Sequence, residues 1–371
     1  MDTQANPLLS LRAHGQCVWQ DDLRRQWLED GTLKRLTARD GVSGITSNPT
    51  TFHAAIEGHD EYDERIARLA AEGRSPAAIL EALTVADVGD AADLLRPRFD
   101  ESGGADGYVS IEVSPHLAYD TERSVVEARR LWIELSRPNV LIKVPATREG
   151  IEAMRRLTAE GINVNATLLF SVSRYREIAD AYMAGLEDRL RSSQGVEGIT
   201  SVASFFLSRV DALADRMLEH VEQTDLGRAD QARALRGHAA VALARLAYQA
   251  YRELVDSARW RKLAGRGARP QRLLWASTGT KDPAYSDVKY VEALIGPDTI
   301  ATLKPETLDA YRDHGDPAPR LTQDLQQAQA LPGKLAELHI DLEALARELE
   351  KEGVRKFIEP YDATLALLER R

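Results

Sequence analysis

Short apolar runs and longer amphipathic stretches alternate along the whole chain. Runs at 17–21, 44–48, 108–113, 141–144, 162–170, 199–205, 272–277 and 299–303 read as eight strands. Near-continuous apolar runs of this length suit strands buried on both faces of a parallel sheet. Between them, apolar spacings of three and four predict helices at 22–36, 50–69, 75–83, 84–95, 121–135, 149–159, 173–185, 286–294 and 307–311. A longer helical region, 209–259, is expected to break near 224–227. Val125, Ala128, Trp132 and Leu135 form one such stripe. Ser75-Pro76 is a helix start, with serine at the cap and proline at the first position. Two more helices, 342–351 and 354–370, are expected in the tail, and Asp341 is placed to cap the first. Eight strands, each followed by helix, predict an α/β fold of the (β/α)8 TIM-barrel type. The barrel should take residues 1–322, with 323–371 a helical extension packed on it in one structural domain. A doubly wound sheet alternates too, but no Gly-x-Gly-x-x-Gly follows the first strand.

Side chains alternate across a strand, so positions i and i+2 share a face. Barrel enzymes keep their chemistry at the C-terminal strand ends. There, alternation groups Trp19 with Asp21, Thr46 with Asn48, Ser110 with Glu112, and Leu141 with Lys143. It also groups Asn163, Asn165 and Thr167; Val202, Ser204 and Phe206; and Trp275 with Ser277. Buried polar groups cost free energy unless paired, so each alone reads as a satisfied core hydrogen bond. Seven strands converging on one mouth read as a site. Lys143 is the most expensive member, because burial disfavours an ammonium. On its own it would be a strand-end lysine paired with a surface carboxylate. In this company it is a candidate amine for attack on a carbonyl, forming a Schiff base. Asp21 and Glu112 can divide the proton transfers that such chemistry needs. Asn48, Asn165 and Ser204 suit sugar hydroxyls. Arg209, five residues after Ser204, can reach a phosphate, with Ser277 beside it. A solvated helix-start arginine is an equal reading of Arg209 alone.

Composition narrows the partners. The chain carries 58 acidic and 48 basic side chains, a net charge of −10. No basic patch interleaved with aromatics is present, which argues against nucleic acid. Were an acidic protein to handle phosphorylated sugars, it would need a local basic site, so a few well-placed cations matter more than the total. The single cysteine, Cys17, cannot form a disulfide within the chain, which fits a reducing, cytoplasmic setting. Its flanks look like a strand start, so a small buried hydrophobe is expected rather than a nucleophile. The stretch 1–7 has no basic n-region or long apolar core, so no signal peptide is expected. No apolar run approaches membrane-spanning length, and no membrane partner is expected.

Several segments carry a resemblance. They are Val18-Trp19-Gln20-Asp21-Asp22-Leu23, Gly44-Ile45-Thr46-Ser47-Asn48-Pro49-Thr50, Val109-Ser110-Ile111-Glu112-Val113-Ser114-Pro115 and Leu141-Ile142-Lys143-Val144-Pro145-Ala146-Thr147. Gly161 through Ser171, Ser201-Val202-Ala203-Ser204-Phe205-Phe206, Trp275 through Lys281, and Glu352-Gly353-Val354-Arg355-Lys356-Phe357 add to them. Together they resemble the transaldolases, class I Schiff-base aldolases, and most of all their longer bacterial branch with a C-terminal helical extension. The resemblance implies that Lys143 forms the Schiff base. Asp21 would take the C4 hydroxyl proton, and Glu112 would act through a water held by Thr167. Thr46, Asn48, Asn165, Ser204 and Phe206 would meet the dihydroxyacetone unit, with Ser204 at its C1 hydroxyl. Arg209 and Ser277 would bind phosphate. The implied reaction moves a dihydroxyacetone unit from sedoheptulose 7-phosphate to glyceraldehyde 3-phosphate, giving erythrose 4-phosphate and fructose 6-phosphate in the pentose phosphate pathway. No metal or organic cofactor is implied, because the protonated imine is the electron sink.

The chain departs from that family in places. Many members carry arginine two residues after the serine of strand seven, where this chain has Gly279; Lys281 is the expected substitute. Ala203 and Phe205 flank Ser204 where other branches place proline. Phe206 stands where the related fructose-6-phosphate aldolases carry tyrosine, and phenylalanine implies transfer rather than release. Competing readings are a fructose-6-phosphate or deoxyribose-phosphate aldolase, a barrel glycosidase using Asp21 and Glu112 as its carboxylate pair, and a non-catalytic barrel scaffold.

Overall fold

A computed structural model describes residues 6–371. Expectations resting on residues 1–5, including that of no signal peptide, lie outside the described residues. Eight parallel strands are present: β1 (Gln16–Asp21), β2 (Val42–Thr46), β3 (Val109–Glu112), β4 (Val140–Pro145), β5 (Val164–Leu169), β6 (Ser201–Phe206), β7 (Arg272–Ala276) and β8 (Thr299–Leu303). They close in chain order into a barrel, with β1 pairing β8. Strands β2, β4, β5, β6 and β8 are buried along their whole length, as apolar runs covered on both faces must be.

The helices are α1 (Pro7–Ala13), α2 (Arg25–Glu29), α3 (Thr32–Asp40), α4 (Pro49–Ile56), α5 (Asp63–Ala71), α6 (Pro76–Glu101), α7 (Thr121–Leu135), α8 (Arg148–Glu160) and α9 (Val172–Arg191). Then come α10 (Ser208–Thr224), α11 (Ala229–Leu235), α12 (Ala239–Val255), α13 (Ala258–Ala264), α14 (Lys289–Ala293), α15 (Pro305–His314), α16 (Leu325–Glu337) and α17 (Leu342–Glu369). Ser75 caps α6, and Asp341 caps α17 through the amides of Glu343 and Ala344, as the sequence predicts.

Several helix boundaries differ from those expected. The expected helix 22–36 is two helices, joined through Gly31 in the left-handed region (φ 74°). The expected helix 50–69 is also two, α4 and α5. Conversely, 75–83 and 84–95 are one helix, α6, which runs on through Pro97. The two tail helices are likewise one, α17, continuous through Gly353 and Pro360. Helix α16, which contains Pro332, and the short α1 were not expected.

In the extension, α16 packs against α12, a helix of the outer ring. Helix α17 packs against α4, α6 and α10 and touches β5, so it crosses the C-terminal mouth. Among the described residues no helix is long and apolar enough to cross a membrane.

Candidate active site

Register places the reactive groups. In β3 and β4, Glu112 lies directly opposite Lys143; in β4 and β5, Lys143 lies opposite Asn165. Side chains from adjacent parallel strands at one level point the same way, so all three project into the barrel mouth. Lys143 Nζ stands 2.8 Å from Glu112 Oε1 and donates to the Ser47 carbonyl at 3.0 Å. Both members of this ion pair are almost fully buried. Burial pushes the Glu112 carboxyl above its ordinary value, and the Lys143 ammonium pulls it back.

Asp21 lines the same pocket as Lys143. Thr46 Oγ1 donates to Asp21 Oδ1 at 2.9 Å and lies 2.7 Å from Thr302 Oγ1. The carboxylate is thereby oriented by β2, which pairs with β1 at Asp21 and Thr46. Asn48 caps α4 through the amide of Thr51 and borders the pocket at that helix N-terminus. Asn165 Nδ2 donates to Ser110 Oγ at 3.0 Å, and Ser204 Oγ donates to Asn165 Oδ1 at 2.7 Å. One amide thus links β3, β5 and β6. Thr167 reaches the pocket too, with its hydroxyl buried and unpaired. Asn163 does not. It precedes β5 and joins neighbouring strands, donating to the Pro138 carbonyl and accepting from the Thr200 amide.

The far end of the pocket is cationic. Arg209, in the first turn of α10, is largely buried, and its Nη1 has no partner. Burial pushes its guanidinium below the ordinary value. Its Cζ lies 5.4 Å from the centre of the Phe206 ring, a cation–π contact. Lys281 reaches the same pocket; burial, then the nearby Lys304 and Arg209 charges, push its ammonium below the ordinary value. Ser277 corrects the expected alternation in β7. Trp275 does not face the pocket; it packs edge-on against Phe205, 6.3 Å between ring centres, on the outer face. Ala276 faces the mouth, and Ser277 reaches it because its backbone turns left-handed (φ 54°) just past the strand. Its hydroxyl lies 2.8 Å from that of Ser208.

Lining residues that the strand pattern did not find include Thr302, Lys304 and Phe357. The first two follow the same alternation, Thr302 late in β8 and Lys304 just past its end. Phe357 had no such signal, since it arrives from α17, with its ring centre 5.7 Å from Lys143 Nζ. A larger cavity of about 360 Å³ opens beside the site, behind Glu112. Charged groups on its wall are already paired: Arg130 with Glu81, and Glu127 with the Ser114 amide. Cys17, at the other end of β1, is partly accessible rather than fully buried. Burial and nearby Asp106 push its thiol up to about 11, which fits an unreactive side chain.

Over residues 18–368 the chain matches the family described as Transaldolase/Fructose-6-phosphate aldolase. It is 49% identical to a transaldolase of Thiobacillus denitrificans over 95% of this chain and 96% of that one. A transaldolase of Parafrankia sp. is 44% identical over 97% and 96% of the two chains. A transaldolase of Mycobacterium bovis is 47% identical over 96% and 94%. A match of this extent takes in every strand that supplies the mouth and the helix that crosses it, and the chain belongs to the transaldolase/fructose-6-phosphate aldolase family.

Proposed function

We propose that this chain catalyses the transaldolase reaction through a Schiff base on Lys143. Its donor is sedoheptulose 7-phosphate and its acceptor glyceraldehyde 3-phosphate; the products are erythrose 4-phosphate and fructose 6-phosphate. The observation that carries the reading is the buried Lys143–Glu112 pair at 2.8 Å, with Asp21 lining the same pocket as the lysine. An amine whose ammonium is held by a carboxylate of raised pKa can hand over its proton locally. Lys143 Nζ attacks the ketose C2, and Glu112 moves the protons as the carbinolamine loses water. Thr167, whose hydroxyl is free, is the residue assigned to hold that water.

Asp21 then takes the C4 hydroxyl proton, the C3–C4 bond breaks, and its electron pair passes to the imine as an enamine. The aldose leaves. C3 attacks the incoming aldehyde, Asp21 returns the proton to the new alkoxide, and water releases the product ketose. In this reading Asn48, Asn165 and Ser204 hold hydroxyls of the three-carbon unit, while Phe206 and Thr46 shape its surroundings. Arg209, Ser277, Lys281 and Lys304 bind phosphate. The unpaired Arg209 guanidinium supports that assignment, because a buried charge without a partner is costly until an anion arrives. Residues 323–371 then count as part of the catalytic unit, because α17 supplies Phe357 to the pocket.

Borohydride reduction in the presence of fructose 6-phosphate, followed by peptide mass mapping, tests the mechanism. The expected result is a three-carbon adduct on the Lys143 peptide; no adduct on any peptide would sink it. Cleavage assayed with and without an aldehyde acceptor separates transfer from simple aldol cleavage. A K143M variant that kept activity would favour the glycosidase reading instead.

A further inference from the structure

Most of the walls around Lys143 come from the barrel and its loops. Phe357 comes from α17, and it supplies an apolar wall next to the amine. It is 4% exposed, so its ring is held in place and not fraying at a surface. The anchor lies one turn earlier. Gly353 rests on Leu168, and a Cβ at that position would stand 2.9 Å from Leu168 Cδ2. Leu168 itself has a left-handed backbone (φ 62°), next to Thr167, where the β5–β6 register shifts. A leucine in that region is uncommon and persists where the surroundings over-determine it. Positions 353 and 357 are four apart and share a helix face. The glycine therefore lets α17 approach closely, and that approach sets the ring against the lysine.

We propose that Phe357 is a specificity-determining residue that keeps water from the enamine, so that the three-carbon unit passes to an aldehyde and is not released. This inference rests on the transaldolase reading above. After C3–C4 cleavage the enzyme holds an enamine on Lys143 and the C4 proton on Asp21. Two fates follow. In transfer, C3 bonds to the acceptor carbonyl carbon, and Asp21 gives its proton to the resulting alkoxide. In release, C3 takes that proton through water, one water adds to the imine carbon, and the C–N bond breaks. Free dihydroxyacetone then leaves, and the amine is restored. Imine hydrolysis is common to both fates, since water also releases the product ketose, whereas protonation of C3 through water belongs to release alone. An aromatic ring beside the amine that keeps water from the enamine disfavours release at that step.

The test is a partition ratio: free dihydroxyacetone formed per transfer product, with fructose 6-phosphate as donor and erythrose 4-phosphate as acceptor. F357A is expected to raise that ratio about tenfold, and F357L, which refills most of the space, to return it near wild type. The ratio does not depend on how much protein is folded. F357V carries the same test if F357A does not accumulate. A lower kcat with an unchanged ratio in the smaller variant would overturn the inference, leaving Phe357 a purely structural residue. The borohydride experiment keeps the two ideas apart. No adduct on Lys143 removes the mechanism itself, whereas an adduct with an unchanged ratio removes only the role of Phe357.

Discussion

Lys143 and Glu112 neutralise each other inside the barrel, which makes each dependent on the other. Removing one partner of a buried pair typically costs about 3–5 kcal/mol, because the other is left charged without compensation. In K143M, Glu112 loses the ammonium that opposes its burial, so its folded-state pKa rises further. An acid with a raised folded pKa stabilises the fold below its unfolded value and loses that contribution as pH rises. K143M should therefore unfold at a lower temperature at pH 8 than at pH 5, by a larger margin than wild type. Adding E112Q should abolish the extra margin, as thermal melts at the two pH values would show. The proposed phosphate end follows the opposite charge logic. Lys281 has a lowered pKa, so its positive charge disappears as pH climbs toward the ordinary lysine value. KM for phosphorylated donors should rise on that alkaline limb, and K281R should remove the rise. K281A should raise KM about tenfold, the factor that ~1.4 kcal/mol represents. An unchanged KM would refute a phosphate role for Lys281.

At the scale of elements, β2 shows how tightly the barrel is packed. A Cβ on Gly44 would lie 2.3 Å from the Trp19 indole, which is pinned by its hydrogen bond from Nε1 to Asp106. Gly44→Ala should lower stability by about 1–3 kcal/mol, the usual cost of overfilling a packed core, measurable by urea unfolding. The eight strands were legible because each is an apolar run with a polar residue near its end, and alternation within them found most of the pocket. It failed at Trp275 and Ser277, where the strand stops one residue early and the chain turns left-handed. Helix limits were less legible, since glycine and proline act by context. Gly353 reads as a break in sequence, but in space it is the contact that lets α17 rest on Leu168. Pro360 is tolerated inside the same helix, where its carbonyl accepts from the Thr364 hydroxyl. No local pattern marks Phe357 as a neighbour of Lys143, because the contact joins residues 143 and 357 across the closed barrel.

For the molecule as a whole, a net charge of −10 surrounds a mouth that gathers Arg209, Lys281 and Lys304. An anionic sugar phosphate is repelled by the average surface and attracted at one place. Field lines focused into such a cleft raise association rates and are screened by salt, with a Debye length of about 10 Å at 0.1 M. The value of kcat/KM for fructose 6-phosphate should fall several-fold as salt rises from low concentration to ~0.2 M. The value for unphosphorylated donors should hardly move. Equal salt sensitivity of the two would argue against a cationic phosphate end. The net charge was readable from composition, but its local reversal needed the closed barrel, which brings β6, β7 and β8 to one rim.

The amide of Asn165 has one more consequence. Its oxygen takes the only hydrogen of the Ser204 hydroxyl, so that hydroxyl meets a ligand with lone pairs alone. Whatever occupies that corner must bring its own hydrogen. A ketose bearing fluorine or a methyl group at C1 has the right bulk and nothing to donate. Recognition there has a polarity, set by a neighbouring amide that touches no part of that hydrogen bond.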